Sequence, residues 1–220
     1  MDGLATPNSA QNLGRIMRIF RAPADTRAVY DRNAEAYDRA RSKTLFEARW
    51  LTRFGDRLPK GGTVLDLGCG AGQPIAAWLI AEGFRYTGVD FSDAMLAIAR
   101  SRWPEEDWQS ADMRTLDLGQ TFDGIIAWNS FFHLTQTEQR STLPRLARHL
   151  APHGQLMVTT GPAPGDTTGT VAGEEVFHAS LSPAEYATLL ETHGLTLTAF
   201  MAEDPRCQDH TVLMAKKTGD

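Results

Sequence analysis

The chain has 220 residues, 42% of them hydrophobic, which is enough to bury one good core and short for two independent ones. Its 22 basic against 27 acidic residues give a formal net charge of −5 with no run of like charge, which argues against a nucleic-acid partner, since phosphate binding wants a concentrated positive surface. Cys69 and Cys207 lack metal or disulfide spacing, the start MDGLATPNSAQN lacks the basic and apolar parts of a signal peptide, and the longest apolar run, Ile75 to Ala81, is too short to cross a bilayer, so the expectation is a cytoplasmic protein with no membrane contact. Seven arginines against five carboxylates in the first 41 residues leave a local basic face as the alternative.

In chain order, Leu13, Ile16, Met17 and Phe20 recur at helical spacing until Pro23 closes the segment. That helix either packs on its own domain or serves as a mobile flap or dimer contact. TRAVYDRNAEAYDRAR then puts Tyr30, Ala34 and Tyr37 on one helical face, and a third helix presents Leu51, Phe54 and Leu58 before Gly61 and Gly62 break the pattern. Thr63 to Leu67 reads as a strand meeting glycines, Pro74 to Glu82 as a helix stopped by Gly83, and Tyr86 to Val89 as a strand ending at Asp90. Ser92 is a plausible N-cap for a helix running towards Pro104. Further strands are expected at Trp108 to Ala111, Phe122 to Trp128 and Gln155 to Thr160, with a helix between the last two opened by a Thr135/Glu138 capping box. Ser182, Pro183 and Glu185 open another helix, which ends at Gly194 before strands Leu195 to Met201 and His210 to Ala215. Alternating strands and helices predict a largely parallel sheet covered on both faces, and the last two strands can pair antiparallel, although an eight-residue connection is long for a hairpin. GPAPGDTTGTVAGEE, residues 161 to 175, reads either as a solvated surface loop or as a functional loop at a strand end.

The strongest local signal is VLDLGCGAG, residues 64 to 72, where a strand runs into Asp66 and then Gly68, Gly70 and Gly72 before a helix. Glycines let the backbone turn sharply and approach a ligand, and such a turn lies at the carboxyl end of a parallel strand, where doubly wound sheets bind their ligands. Asp90 closes the next strand twenty residues beyond Gly70, suited to accept hydrogen bonds from ribose hydroxyls.

These residues resemble the class I S-adenosylmethionine-dependent methyltransferases over roughly residues 30 to 160. The resemblance implies an α/β, Rossmann-like, doubly wound, seven-stranded mostly parallel sheet with one antiparallel edge strand. Helices of residues 1–60 would cap the cofactor site on a 61–220 core, all in one globular domain. It implies S-adenosyl-L-methionine as cofactor and S-adenosyl-L-homocysteine as its product. DLGCGAG would let Asp66 orient the methionine end while Gly68 and Gly70 bring the backbone close. GVDFS would give Asp90 the ribose hydroxyls and Phe91 one side of the adenine, with Met95 either closing that pocket or simply filling core. SADM would offer Asp112 as acceptor for the adenine amino group and Met113 as a backbone donor, and FDGIIAWNSFFHL would bring the Asn129 carbonyl to the methionine ammonium. YDRNAEAYDRAR would lay Tyr30 and Tyr37 over the cofactor. A nicotinamide dehydrogenase is the competitor, but counting G-x-G-x-x-G from Gly68 puts Gln73 at the third glycine, and counting from Gly70 puts Ile75 there.

Methyl transfer needs alignment, exclusion of water and, for a hydroxyl or protonated amine, a base. His133 in SFFHL and His178 in VFHASLS are the candidates for that base, with His210 and Glu175 behind them. Trp128, Phe131, Phe132 and Phe177 either line an apolar acceptor pocket or are core. WNSF lacks the Asn/Asp-Pro-Pro-aromatic signature of nucleobase and glutamine methylation, which leaves a small-molecule acceptor methylated on O, N or S. A domain that binds the cofactor without turnover is the alternative. The protein is expected to act as a monomer or homodimer.

Overall fold

The computed structural model describes residues 23–219. The helix expected at Leu13 to Phe20 lies outside them. Helix α1, Pro23–Ala40, begins where the sequence placed the end of that earlier segment, with Pro23 in the first turn, where its missing N–H costs nothing. Helix α2, Ala48–Gly55, buries Trp50, Leu51 and Phe54 on one face. Then follow β1 (Thr63–Leu67), α3 (Ile75–Ala81), β2 (Arg85–Asp90), α4 (Asp93–Arg102), β3 (Asp107–Ser110), β4 (Phe122–Ala127), α5 (Gln136–His149) and β5 (Leu150–Thr160). The chain closes with β6 (Gly165–Val171), β7 (Glu174–Ser180), α6 (Pro183–Thr192), β8 (Leu195–Asp204) and β9 (His210–Lys217).

Seven strands form one sheet in the order β3-β2-β1-β4-β5-β9-β8. Neighbours from β3 to β5 are parallel, and β9 pairs antiparallel with both β5 and β8, so it is the one reversed strand, set beside the β8 edge. Consecutive residues face opposite layers, as the two-residue pleat requires. Leu65, Ile125, Leu156 and Leu213 pack against Leu143, Leu146, Tyr186 and Leu190 of α5 and α6. Val64, Ile126, Met157 and Met214 pack against Trp50, Phe54, Leu79 and Leu96 of α2, α3 and α4. Each such apolar side chain removed from water contributes roughly 1.5–3 kcal/mol, which fixes the register of every central strand.

The expected caps are present. The Ser92 hydroxyl accepts from the Met95 amide, Thr135 and Glu138 form the reciprocal capping box, and the Ser182 hydroxyl accepts from the Glu185 amide. The chain leaves β1 outwards to β2 and β3, then returns to β4 and continues to β5, so the strand order reverses between β1 and β4. The crevice at that reversal, above the carboxyl ends of β1, β2 and β4, is where a doubly wound sheet takes its ligand.

Residues 161 to 175 are not an irregular loop. Most of them belong to β6 and β7, an antiparallel pair separate from the main sheet, joined at Ala172 and Gly173, both with positive φ of 49° and 85°. That is the turn handedness that matches strand twist. The hairpin meets α1, where Val29 packs with Val171 and Val176, and Arg32 and Asn33 donate to Glu174 at 2.6 and 2.8 Å. Among the described residues no helix is long and apolar enough to cross a membrane.

Candidate functional site

The β1–α3 turn is built around Asp90. Its Oδ2 accepts from the Gly70 amide and its Oδ1 from the Ser92 amide, both at 2.8 Å, which fixes the carboxylate at the wall of the crevice with acceptor capacity to spare. The amides of Gly68 and Cys69 are spent on the Val89 carbonyl, and that of Gly72 on Cys69. A dinucleotide pyrophosphate needs such amides free, so this turn is poorly made for the nicotinamide alternative. At Gly70, φ is +54° and nothing lies within 4 Å of where a side chain would start, so the cleft is open at this point.

Nine of the expected cofactor residues line one cleft: Tyr30, Tyr37, Asp66, Gly68, Gly70, Asp90, Phe91, Met95 and Asn129. Asp112 and Met113 line a neighbouring cavity of about 340 Å³ that adjoins the cleft at Phe91, Ser130 and His133. Met95 is 1% exposed and packs with Ala34 and Ala71, so it serves core and cleft together. Asp112 differs from expectation in its partners. Arg114 engages both its oxygens, through Nε at 3.0 and 2.9 Å, and also bonds Glu138 of the α5 capping box at 2.9 Å. Any adenine amino group would therefore meet a carboxylate already neutralised by a guanidinium.

Helix α1 roofs the cleft and is tied down along α4. The Ser92 hydroxyl donates to Asp31 at 2.6 Å, and Arg102 donates to Asp38 and to the Ala71 carbonyl. Arg102 and Lys43 hold the Asp38 carboxyl well below the usual range, at about 2. These latches were not read from the sequence, where an Asp or Arg on a helix carries no sign of which distant partner it meets.

Burial raises Asp66 to about 7 and Asp90 to about 6, in both cases because the charged form loses water. Tyr86 donates to Asp66 at 3.0 Å and offsets part of that cost. The Asn129 side-chain oxygen and the Trp128 indole N–H are buried in the same region without a hydrogen-bond partner among the described residues. An ammonium and ribose hydroxyls would satisfy two carboxylates and an orphaned acceptor, so the donor set fits S-adenosylmethionine. Raised native pKa values mean that these two carboxyls take up protons on folding, so their own contribution to the stability of the apo protein falls as pH rises between about 4 and 7. Cofactor binding favours the ionised forms and releases those protons. Affinity for S-adenosylhomocysteine should therefore rise with pH, by up to about tenfold per unit between 6 and 7 and more steeply below 6, and level off above 7. Calorimetry in buffers of different ionisation enthalpy would count the protons; a flat profile would remove Asp66 and Asp90 from the binding charge.

Beyond Tyr30 lies a second cavity of about 450 Å³ under the β6–β7 hairpin, sharing Tyr30, Tyr37, Asn129 and His133 with the cleft. His133 stands in the short turn Phe131–His133 and is 7% exposed. Its Nδ1 lies 3.0 Å from the Phe177 carbonyl, which can only accept, so Nδ1 carries the proton and Nε2 accepts from the Tyr30 hydroxyl at 3.0 Å. Burial lowers His133 to about 4, and His178 on β7 likewise, so both are neutral at physiological pH. His178 and His210 line the second cavity, Phe132 lines it too, Trp128 lines the cleft, and Phe131 is wholly core. Glu175 lies in the hairpin and lines neither space.

Residues 64–154 match the family described as a methyltransferase domain. A dTDP-4-amino-2,3,4,6-tetradeoxy-D-glucose N,N-dimethyltransferase of Saccharopolyspora spinosa is 31% identical over 212 residues, covering 88% of this chain and 82% of that protein. A dTDP-3-amino-3,6-dideoxy-alpha-D-glucopyranose N,N-dimethyltransferase of Streptomyces fradiae is 35% identical over 149 residues, covering 62% and 58%, so the match spans less than two thirds of that relative. The S-adenosylmethionine-bound amino pentose methyltransferase of Micromonospora echinaspora shares the fold, with a TM-score of 0.65 over 84% of this chain and 95% of that one at 23% identity.

Proposed function

The chain belongs to the class I S-adenosylmethionine-dependent methyltransferases, and on that premise we propose that it methylates the amine nitrogen of a small hydroxylated acceptor of the amino-sugar class. The observation that carries this is the shared wall: among the described residues the side chains common to the cofactor cleft and the 450 Å³ cavity are Tyr30, Tyr37, Asn129 and His133, so a methyl crossing from one to the other passes the Tyr30–His133 pair. Bound in the cleft, the cofactor supplies an electrophilic methyl on a positively charged sulfur.

The chain's own part is positioning. The Tyr30 phenol spends its proton on His133 Nε2, and burial raises its pKa, so its oxygen presents lone pairs that can accept an N–H of the acceptor. The nitrogen lone pair is then free to face the cleft. With His133 near 4, forming an imidazolium at pH 7 would cost about 4 kcal/mol, so the pair is a poor base and the acceptor enters as the free amine. Among the described residues no lysine or arginine lines the cavity, so a nucleotide diphosphate, if the acceptor carries one as those of the two relatives do, would meet no described cation there.

The test is incubation with S-adenosylmethionine and a panel of free amino sugars, dTDP-linked amino sugars, carboxylates and phenols, read by mass spectrometry. A methyl gained on nitrogen supports the reading, and with S-adenosylmethionine saturating at every pH its kcat/KM for the acceptor should rise with pH along the acceptor amine's own titration, with no limb near 6.5. Methylation of oxygen acceptors alone would overturn it.

A further inference from the structure

The two histidines beside the acceptor cavity are differently employed. His133 has both ring nitrogens engaged, one by the Phe177 carbonyl and one by the Tyr30 hydroxyl. His178 lines the same cavity, and among the described residues neither of its nitrogens has a hydrogen-bond partner. Its ring is held in place without them. It packs on Phe132 at 4.5 Å and on His133 at 4.9 Å between ring centroids. On the hairpin side it rests over Gly169, where an added Cβ would fall 2.3 Å from its Cε1 and 2.8 Å from its Nε2. So the hairpin has a glycine where any side chain would displace the imidazole, and the imidazole is fixed with its hydrogen-bonding capacity unspent.

We infer that His178 is a specificity-determining residue that reads a hydroxyl on the acceptor next to the reacting amine. This rests on the amine reading above. A neutral imidazole offers one N–H and one lone pair, the complement of a single hydroxyl, which can donate and accept. The ring adjoins His133, whose partner Tyr30 holds the amine, so the group it meets is a neighbouring substituent of the same acceptor. A half-buried polar group left unpaired disfavours the wrong ligand more than an extra contact favours the right one, which is how such sites reject analogues lacking a hydroxyl. On this reading His178 acts on the acceptor's hydroxyl rather than as the base the sequence offered as one option, in keeping with a pKa lowered by burial and a place one ring further from the cleft than His133.

The test compares kcat/KM for an amino sugar with a hydroxyl vicinal to the amine and for its deoxy analogue. The wild type should prefer the hydroxylated acceptor by about 10²-fold. His178→Phe keeps the ring packing and removes both nitrogens, and should bring the ratio to within about threefold of unity, with S-adenosylhomocysteine affinity unchanged; His178→Gln, which retains a donor and an acceptor, should restore part of it. Gly169→Ala, which pushes the ring aside, should erode the ratio even with residue 178 intact. A ratio unchanged in His178→Phe, or absent in an active wild type, overturns the inference and leaves the amine reading standing. Methylation of no amine by the wild type overturns both.

Discussion

Tyr30→Phe is expected to lower kcat for amine methylation by about 10²-fold while leaving S-adenosylhomocysteine affinity within about threefold. The ring stays, so the edge contacts to Tyr37 at 5.2 Å and Phe91 at 6.4 Å that roof the cleft are kept. What goes is the oxygen that aligns the acceptor, and with it the donor to His133 Nε2, which is then buried without a partner. Because the two side chains act as one unit, His133→Phe should cost a similar factor, and the double variant should cost little more than the worse single one. Steady-state kinetics of the three variants with cofactor titration would decide it. An undiminished kcat in Tyr30→Phe would reduce Tyr30 to a wall of the cleft, and multiplied losses in the double variant would mean the two residues act separately.

What the sequence revealed and what it hid divides by distance along the chain. The glycine turn after β1, Asp90 at the end of β2 and the caps at Ser92, Thr135 and Ser182 are each written within a few residues, and each stands where its local chemistry put it. The Tyr30–His133 bond joins residues 103 apart and the His133–Phe177 bond joins residues 44 apart, and nothing in either segment names its partner. His133 could be placed beside phenylalanines, but not given a tautomer. The hairpin was hidden for another reason. Six of the seven residues of β6 are exposed or half-exposed, so no buried face imposes the two-residue alternation by which strands are recognised. Its one cue was Ala172-Gly173, weaker than Asn-Gly because alanine resists positive φ. The β8–β9 link looked too long for a hairpin because β8 runs past its expected end at Met201 to Asp204, while β9 starts at His210 as expected, leaving a short helical turn at Pro205–Cys207.

The glycine turn offers the second large effect, because two of its glycines are needed for different reasons. Gly68 has φ of +72°, and a Cβ there would lie 2.2 Å from the Ser130 Cβ and 2.8 Å from its hydroxyl. Gly68→Ala should therefore lose roughly 1 kcal/mol for the left-handed backbone and roughly 1–3 kcal/mol for the overlap, which chain movement can relieve only by parting the β1 and β4 loops that together form the cleft. At Gly70 only the backbone term of roughly 1 kcal/mol applies, since nothing surrounds the added methyl; it would instead take up open space at the wall of the cleft, so Gly70→Ala should melt near the wild type and bind S-adenosylhomocysteine at least tenfold more weakly. Adding Ser130→Gly to Gly68→Ala removes the clashing atoms but also the 2.6 Å bond from the Ser130 hydroxyl to the Leu67 carbonyl, worth about 1 kcal/mol, so rescue should be partial. Urea unfolding with cofactor titration separates the two losses. Wild-type stability in Gly68→Ala would mean that the loop after β4 yields freely, and that its close approach to β1 is no part of how the cleft is held.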